Sequence, residues 1–386
     1  AHTQEVIAHL NAENAYADSL LAPVKELRET LFKEMKGRIK EEDLSVAYRE
    51  NGYWYNHRFE QGKEYAVHMR GRSNADGGQP EKLEDFINEN TMAEGLDYFD
   101  LGDFEVSPDN RLCAYSVDTV SRRLYTIRFR DLSTGAELPD VITNTGGGGA
   151  WADNKTFYYS RKDKTLRNFK IFRHTLGTDE KSDVEVYHEK DGAFSCDVYR
   201  DRSNAYVMIT TGSTLSTEEW YLPVGEPTGT FKVVLPREEE HEYSVQHANG
   251  QFFILTNWKA TNFRFMKCPV SNSAKEAWTE VVPHREDVLL EDVDLFNDHM
   301  VFSEREDGLT HLRVRKLSTG VEHPIAFNDP AYVAYTGTNP EYDSDKLRYG
   351  YTSLTTPSGV YEHDLNTTKN TLLKQQEVVG TFNAAD

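Results

Sequence analysis

A serine that attacks a carbonyl sits on a strained strand-to-helix turn, commonly G-x-S-x-G, beside backbone amides that hold the oxyanion. No such pentapeptide occurs in the 386 residues. The nearest relative is TGSTLS around Ser213, which lacks the second glycine and has no helical pattern after it. It reads as a hairpin loop. TGGGGAW at 145–151 offers a run of amides to a phosphate, but no Lys-Ser/Thr follows it, so it fails as a phosphate loop and reads as a flexible connector between two sheets. His57 and His68 face each other across one predicted hairpin, and His174 and His188 across another; neither pair has a third ligand of suitable type, so no zinc site is expected. Carboxylates are abundant, but a hydrolytic pair is defined by spatial separation, and the sequence singles out none.

Basic residues cluster once, in SRRLYTIRFRD. Arg122 and Arg123 fall in a loop, and the alternation of the following strand puts Arg128 and Arg130 on one face. Loop arginines in that position can bridge to another domain or clamp a carboxylate, or make only surface ion pairs. Their surroundings are acidic: 64 Asp and Glu against 43 Lys and Arg give a net charge of −21. Such a surface repels a nucleic-acid backbone and an anionic membrane, and suits cationic partners. Cys113, Cys196 and Cys268 stand far apart in apolar runs without metal or redox spacing, so they are expected as buried, reduced thiols of a cytoplasmic protein. No apolar run is long enough for a membrane helix, and no export signal opens the chain, although it starts at Ala1.

Two kinds of element must carry these residues. In the first forty, Val6, Ile7, Leu10, Leu20, Leu21, Val24, Leu27, Leu31, Phe32, Met35 and Ile39 recur at helical steps, and Pro23 divides the run into two amphipathic helices. From Ser45 the period changes to short strands. Similar second strands start at Tyr53, Leu112, Phe157, Tyr206, Phe252, Met300 and Leu347, most of them after Asx- or Gly-rich turns such as ENG, SPDN and ANG. RDLSTGAELPD from Arg130 and RKLSTGVEHPI from Arg315 echo each other. Repeats of this length with four strands each predict an all-β fold, a seven-bladed β-propeller with an N-terminal α-helical arm. The expected boundaries are an arm at 1–43, a propeller at 44–376 and a linker at 377–386.

Longer strings then carry a resemblance. AENAYADSLLAPVKELRETLFKEMKGRIKEEDLSV, GYWYNHRFEQGKEYAVHMR, VSPDNRLCAYSVDTVSRRLYTIRFRDLSTG, NDPAYVAY, RYGYTSLTTPSGVYEHDL and LLKQQEVVG resemble, in colinear order, the oligopeptidase B branch of the prolyl oligopeptidase family of serine peptidases. The resemblance implies that KQQEV leads into an α/β-hydrolase domain carrying the serine, aspartate and histidine beyond Asp386. It also implies that the arm packs on that domain. The parent would then cleave short peptides after Arg or Lys without cofactor or metal, the propeller gating entry. No catalytic residue falls within the chain on this reading, and the segment alone is expected to be inactive. Arg122 and Arg123 match an arginine pair of the family, and Asp97 an acidic position, for interdomain or substrate contact. Two alternatives stay open: a free-standing interaction propeller, and a propeller hydrolase with a carboxylate site at its channel mouth.

Overall fold

The computed structural model describes residues 3–380. Helix α1 (Gln4–Leu21) opens on Thr3, whose hydroxyl accepts the Val6 amide. A 3₁₀ turn at Ala22–Val24 contains Pro23, and α2 (Lys25–Gly37) follows. Proline supplies no amide hydrogen, so the α ladder stops and restarts there. Neither helix buries a residue.

The remaining chain is a meander of antiparallel sheets arranged as a propeller. Six sheets form: sheet I (residues 43–88) with five strands, sheet II (100–188) with seven, and sheets III (195–235), IV (243–282), V (289–324) and VI (332–375) with four each. The expectation of seven blades is therefore corrected to five discrete blades and one continuous seven-stranded sheet. The cause is the strand Glu137–Trp151, whose first half pairs with Tyr125–Asp131 and whose second half pairs with Thr156–Lys162. One unbroken strand joins two repeats that the sequence marks as separate.

That strand also corrects the flexible-connector reading of TGGGGAW. Gly146 to Gly149 are strand residues, and they are crowded. A β-carbon on Gly149 would stand 2.4 Å from the Phe157 ring, and one on Gly146 would stand 2.2 Å from Ser160 Oγ. Gly147 has φ +107°, where side chains are disfavoured, and the Tyr125 ring covers it. The glycines are there for close approach, not for slack.

Apolar clusters lie between neighbouring sheets. Ile171, Val198, Ile209 and Leu222 join II to III; Met208, Val245, Phe252 and Met266 join III to IV; Leu255, Phe265, Val293 and Phe302 join IV to V; Val301, Leu312, Ala334 and Leu347 join V to VI. The junction of VI with I is different. No strand pairs across it, and none of the buried clusters among the described residues spans it. Polar contacts close the ring: Lys374 Nζ reaches Asp43 Oδ2 and the Leu44 carbonyl, each at 2.6 Å, and Arg348 donates to the Ala47 carbonyl.

The echo between Arg130 and Arg315 is a repeated brace. Arg130 pairs with Glu137, donates to the Phe86 carbonyl of sheet I at 2.9 Å and lies over the Tyr115 ring. Arg315 pairs with Glu322, donates to the Val281 carbonyl of sheet IV at 3.0 Å and lies over Phe302. Each guanidinium fastens its sheet to the preceding one through a geometry that a lysine cannot copy.

Candidate functional site

In an antiparallel meander, the start of each first strand, the loop between strands two and three, and the exit of strand four share one face. The end of the arm and the exit after Gln375 lie on this face. So do Arg122 and Arg123, in a strand-two to strand-three loop, and Asp97, in the connection that enters sheet II. All three are exposed, and neither arginine side chain makes an ion pair among the described residues. Asp118 shapes the arginine loop: its Oδ2 accepts the amides of Arg122 at 2.8 Å and Arg123 at 2.7 Å, and its Oδ1 accepts that of Val120 at 2.8 Å. Burial alone would raise the Asp118 pKa, but these amides outweigh it and hold it below the usual carboxylate range. Arg123 has φ 53°, and its carbonyl accepts Lys162 Nζ from the neighbouring hairpin. The pair is presented by its backbone with both guanidiniums left outside.

The arm crowns this face with apolar surface. Leu20, Leu27, Leu31 and Met35 are 61%, 56%, 45% and 59% exposed. Leu372, Leu373, Val378 and Val379 continue the exposed apolar surface at the chain's exit. Between the two lies a cleft of about 910 Å³ lined by Ile39, His57, Phe59, Tyr335 and Lys374 among others. A monomer rarely leaves so much apolar surface without a partner.

The first strands of the sheets surround the axis. Glu105 of sheet II feels the charges of Asp103, of Glu50 in sheet I and of Arg200 in sheet III. Burial first, then the carboxylates of Asp103 and Glu50, push Glu105 well above the usual range, with Arg200 opposing. Asp103, Asp197 and Asp292 occupy matching places on three first strands, opposite Ser116, Thr210 and Ser303. Each touches water, yet the enclosing protein raises its pKa. Asp103 and Asp292 each accept the amide of the following residue at 2.8 Å beside a register shift. The result is an acid-lined channel. Sequence reasoning missed it, although the Asp-x-acid spacing at Asp103/Glu105 and Asp292/Asp294 was a legible signal.

One group inside the propeller imitates a catalytic triad. Ser203 Oγ lies 2.7 Å from His247 Nδ1 and also contacts Asp201 Oδ2. Its wiring differs from a nucleophile's. His247 Nε2 accepts the Gly250 amide at 3.2 Å, so Nδ1 carries the hydrogen and donates to the serine, whose own proton goes to Asp201. The imidazole has no free lone pair for the serine proton, as a general base requires. The cluster fastens the turns of sheets III and IV.

The histidine expectations divide. His57 and His68 are cross-strand partners, and His68 Nε2 bonds Glu89 at 2.8 Å. His174 does not face His188: its cross-strand partner is Phe157, and His188 pairs with Lys170. The registers, counted from the hairpin ends, place them at different levels. His174 is instead buried between Asp183 at 2.7 Å and Asp140 at 3.1 Å; burial lowers its pKa, but the two carboxylates outweigh that and raise it. No cluster of three or more metal-ligand side chains occurs among the described residues. The three cysteines are free and buried, and burial pushes the Cys196 thiol up to about 12. TGSTLS is a hairpin loop, closed by the Ser213 amide on the Ser216 carbonyl at 2.9 Å.

A ring of antiparallel sheets with an acid-lined channel and an exposed apolar face defines the class of the protein, a β-propeller bearing an N-terminal helical arm. The sequence profile described as "Prolyl oligopeptidase, N-terminal beta-propeller domain" matches residues 1–376, and the chain belongs to that peptidase family. Dipeptidyl aminopeptidase BI of Pseudoxanthomonas mexicana is 41% identical over 98% of this chain and 54% of its own length. Protease 2 of Moraxella lacunata is 26% identical over 98% of this chain and 55% of its own length. The structure of oligopeptidase B from Leishmania major superposes with a TM-score of 0.91 at 29% identity, over 99% of this chain and 55% of that one. The chain thus spans about half the length of the relatives it matches. No helix among the described residues is long and apolar enough to cross a membrane.

Proposed function

We propose that this chain is the gating, size-filtering propeller of an oligopeptidase B-like serine peptidase, docked by its arm-bearing face on an α/β-hydrolase domain. The observation that carries the reading is the unpaired apolar surface of the arm on the face where the chain leaves the last sheet. Arg122, Arg123 and Asp97 are assigned interdomain or substrate contacts, since they share that face and keep their side chains outside. Short peptides cleaved after Arg or Lys are the substrates, favoured by the acidic channel. Three free, buried thiols suit a reducing cytoplasm.

The test is an arginyl-amide assay on the 386-residue chain alone and on the same chain joined to a family hydrolase domain. The chain alone gives no turnover and no labelling by a serine-directed probe; the joined protein cleaves short peptides but not folded proteins. Turnover with serine labelling by the chain alone refutes the reading. The 41% identical relative favours a second outcome, release of dipeptides from free amino termini. Acetylating the substrate's amino terminus separates the two: it stops the second activity and leaves the first.

A further inference from the structure

Arg202 makes contacts that its neighbours in the chain do not explain. It belongs to the turn after the first strand of sheet III, on the face opposite the arm. Its Nη1 donates to Asp294 Oδ1 of sheet V at 2.8 Å, its Nη2 donates to the Asn339 carbonyl in a turn of sheet VI, and its guanidinium lies 4.4 Å from the centre of the Phe296 ring. Sheet IV stands between III and V in the ring. The side chain therefore passes over the inner end of a whole sheet and ties sheet III to V and VI, neither of them its neighbour, at the far mouth of the channel.

The receptor side of this contact is well formed. Phe296 is 1% exposed, and its face meets the cation. Asp294 is largely buried, and a groove of about 220 Å³ lined by Phe296, Asn339, Arg348 and Glu341 adjoins it. The tenant fits less well. Asp294 Oδ2 and Arg202 Nε are both buried without a hydrogen-bond partner. A guanidinium and a carboxylate bond best through two parallel N–H···O contacts, and here only one is made. Buried polar atoms without partners are costly, so the contact is weaker than the site allows.

We infer that Asp294, Phe296 and the Asn339 carbonyl form a guanidinium site at the far mouth of the channel, occupied in cis by Arg202. The ligand that takes its place is the arginine side chain of a peptide. A free side chain is not tethered to the turn of sheet III, so it can present both prongs to Asp294 and bond the oxygen that Arg202 leaves unmet. Displacement releases the tie between sheets III, V and VI and opens that mouth, which makes Arg202 a latch keyed to arginine. The assignment of a peptide as ligand rests on the proposed function; the guanidinium site does not.

The experiment uses the 386-residue chain and binding alone, so its outcome is independent of any hydrolysis. Arg202→Ala vacates the site. Its melting temperature is expected below that of the wild type and to recover, saturably and at millimolar concentration, with methylguanidinium but not with methylammonium. A fluorescent tri-arginine peptide is expected to bind Arg202→Ala at least tenfold tighter than the wild type, and adding Asp294→Asn removes both effects. Should Arg202→Ala not fold, Arg202→Gln is read in the same way. A folded variant with no saturable response to methylguanidinium, and with peptide affinity within twofold of the wild type, overturns the guanidinium site. A response to methylguanidinium without any gain in peptide affinity keeps the site and overturns the latch.

Discussion

Glu219 gives the sharpest quantitative test of the fold. It lies on the third strand of sheet III, two residues past the hairpin end at Thr217, and is 4% exposed. No cation faces it. Its partners are hydroxyls, with Tyr199 donating to Oε2 at 3.3 Å, while its own amide donates to Tyr243 at 2.9 Å. Burial drives its pKa from an ordinary 4.5 up to about 8, opposed only by the hydrogen bonds of Thr210 and Tyr199. The folded-state value lies above the unfolded one, so folding favours the protonated acid. The cost is absent below about pH 4.5, grows as the pH rises and levels off above about pH 8. At about 1.4 kcal/mol per pH unit, the penalty at pH 7 is roughly 3 kcal/mol. Glu219→Gln keeps the shape and part of the hydrogen bonding but cannot ionise. Urea unfolding of both proteins at pH 5 and pH 8 should show near-equal stability at the lower value, and the variant ahead by roughly 2–4 kcal/mol at the higher. The difference between the proteins cancels the other titrating groups. A gap that does not change with pH refutes the assignment of a neutral, buried acid.

The arm and the glycine strand give two further tests. Leu27→Ser with Leu31→Ser removes exposed apolar side chains from a helix that buries no residue, so the melting temperature of the chain should stay within about 1 °C, surface changes being worth under ~0.5 kcal/mol. Binding of a separately produced family hydrolase domain, followed by calorimetry, should fall at least tenfold. Gly149→Ala sets a methyl 2.4 Å from the Phe157 ring and 2.6 Å from the Tyr158 carbonyl. It should cost about 1–3 kcal/mol in chemical unfolding, whereas a flexible connector would tolerate the alanine without loss.

The legible parts of the fold were those set by local rules. The break at Pro23 and the left-handed turn residues Asn51, Asn110, Asn204 and Asn249 follow from backbone chemistry within a few positions. The exposed stripe of the arm followed from periodicity and from the missing partner that the resemblance implied. The illegible parts depended on distant packing. Four successive glycines look alike whether they loosen a loop or admit the rings of Tyr125 and Phe157, and only the ring positions decide. The two repeats fused by Glu137–Trp151 look like any other pair, because the glycines at which the strand passes from one neighbour to the next read equally well as a loop. His174 found Asp140 and Asp183 rather than His188, since a hairpin register follows from its turn and not from residue type. The channel acids are scattered through the sequence, and only the ring brings Glu50 of sheet I and Arg200 of sheet III to bear on Glu105 of sheet II.

The electrostatics of the channel and of the arginine loop point in opposite directions, and the contrast bears on how a peptide would move. Glu105, Asp103, Asp197 and Asp292 all have raised pKa values because the enclosed space disfavours their charge. An incoming cation would relieve that cost, so its attraction is larger than the same carboxylates would exert on an open surface. On the arm-bearing face, Arg122 and Arg123 present positive charge. A cationic side chain is therefore drawn into the channel and repelled near these arginines, while a carboxylate is held by them. A peptide entering from the far mouth with its basic residues leading would meet Asp294 first, then the acids of the channel wall. Its cationic groups would be favoured until they reached the arm-bearing face. On the proposed docking, transfer there would come from stronger binding on the hydrolase domain, so the propeller would select for charge and leave the final discrimination to that domain.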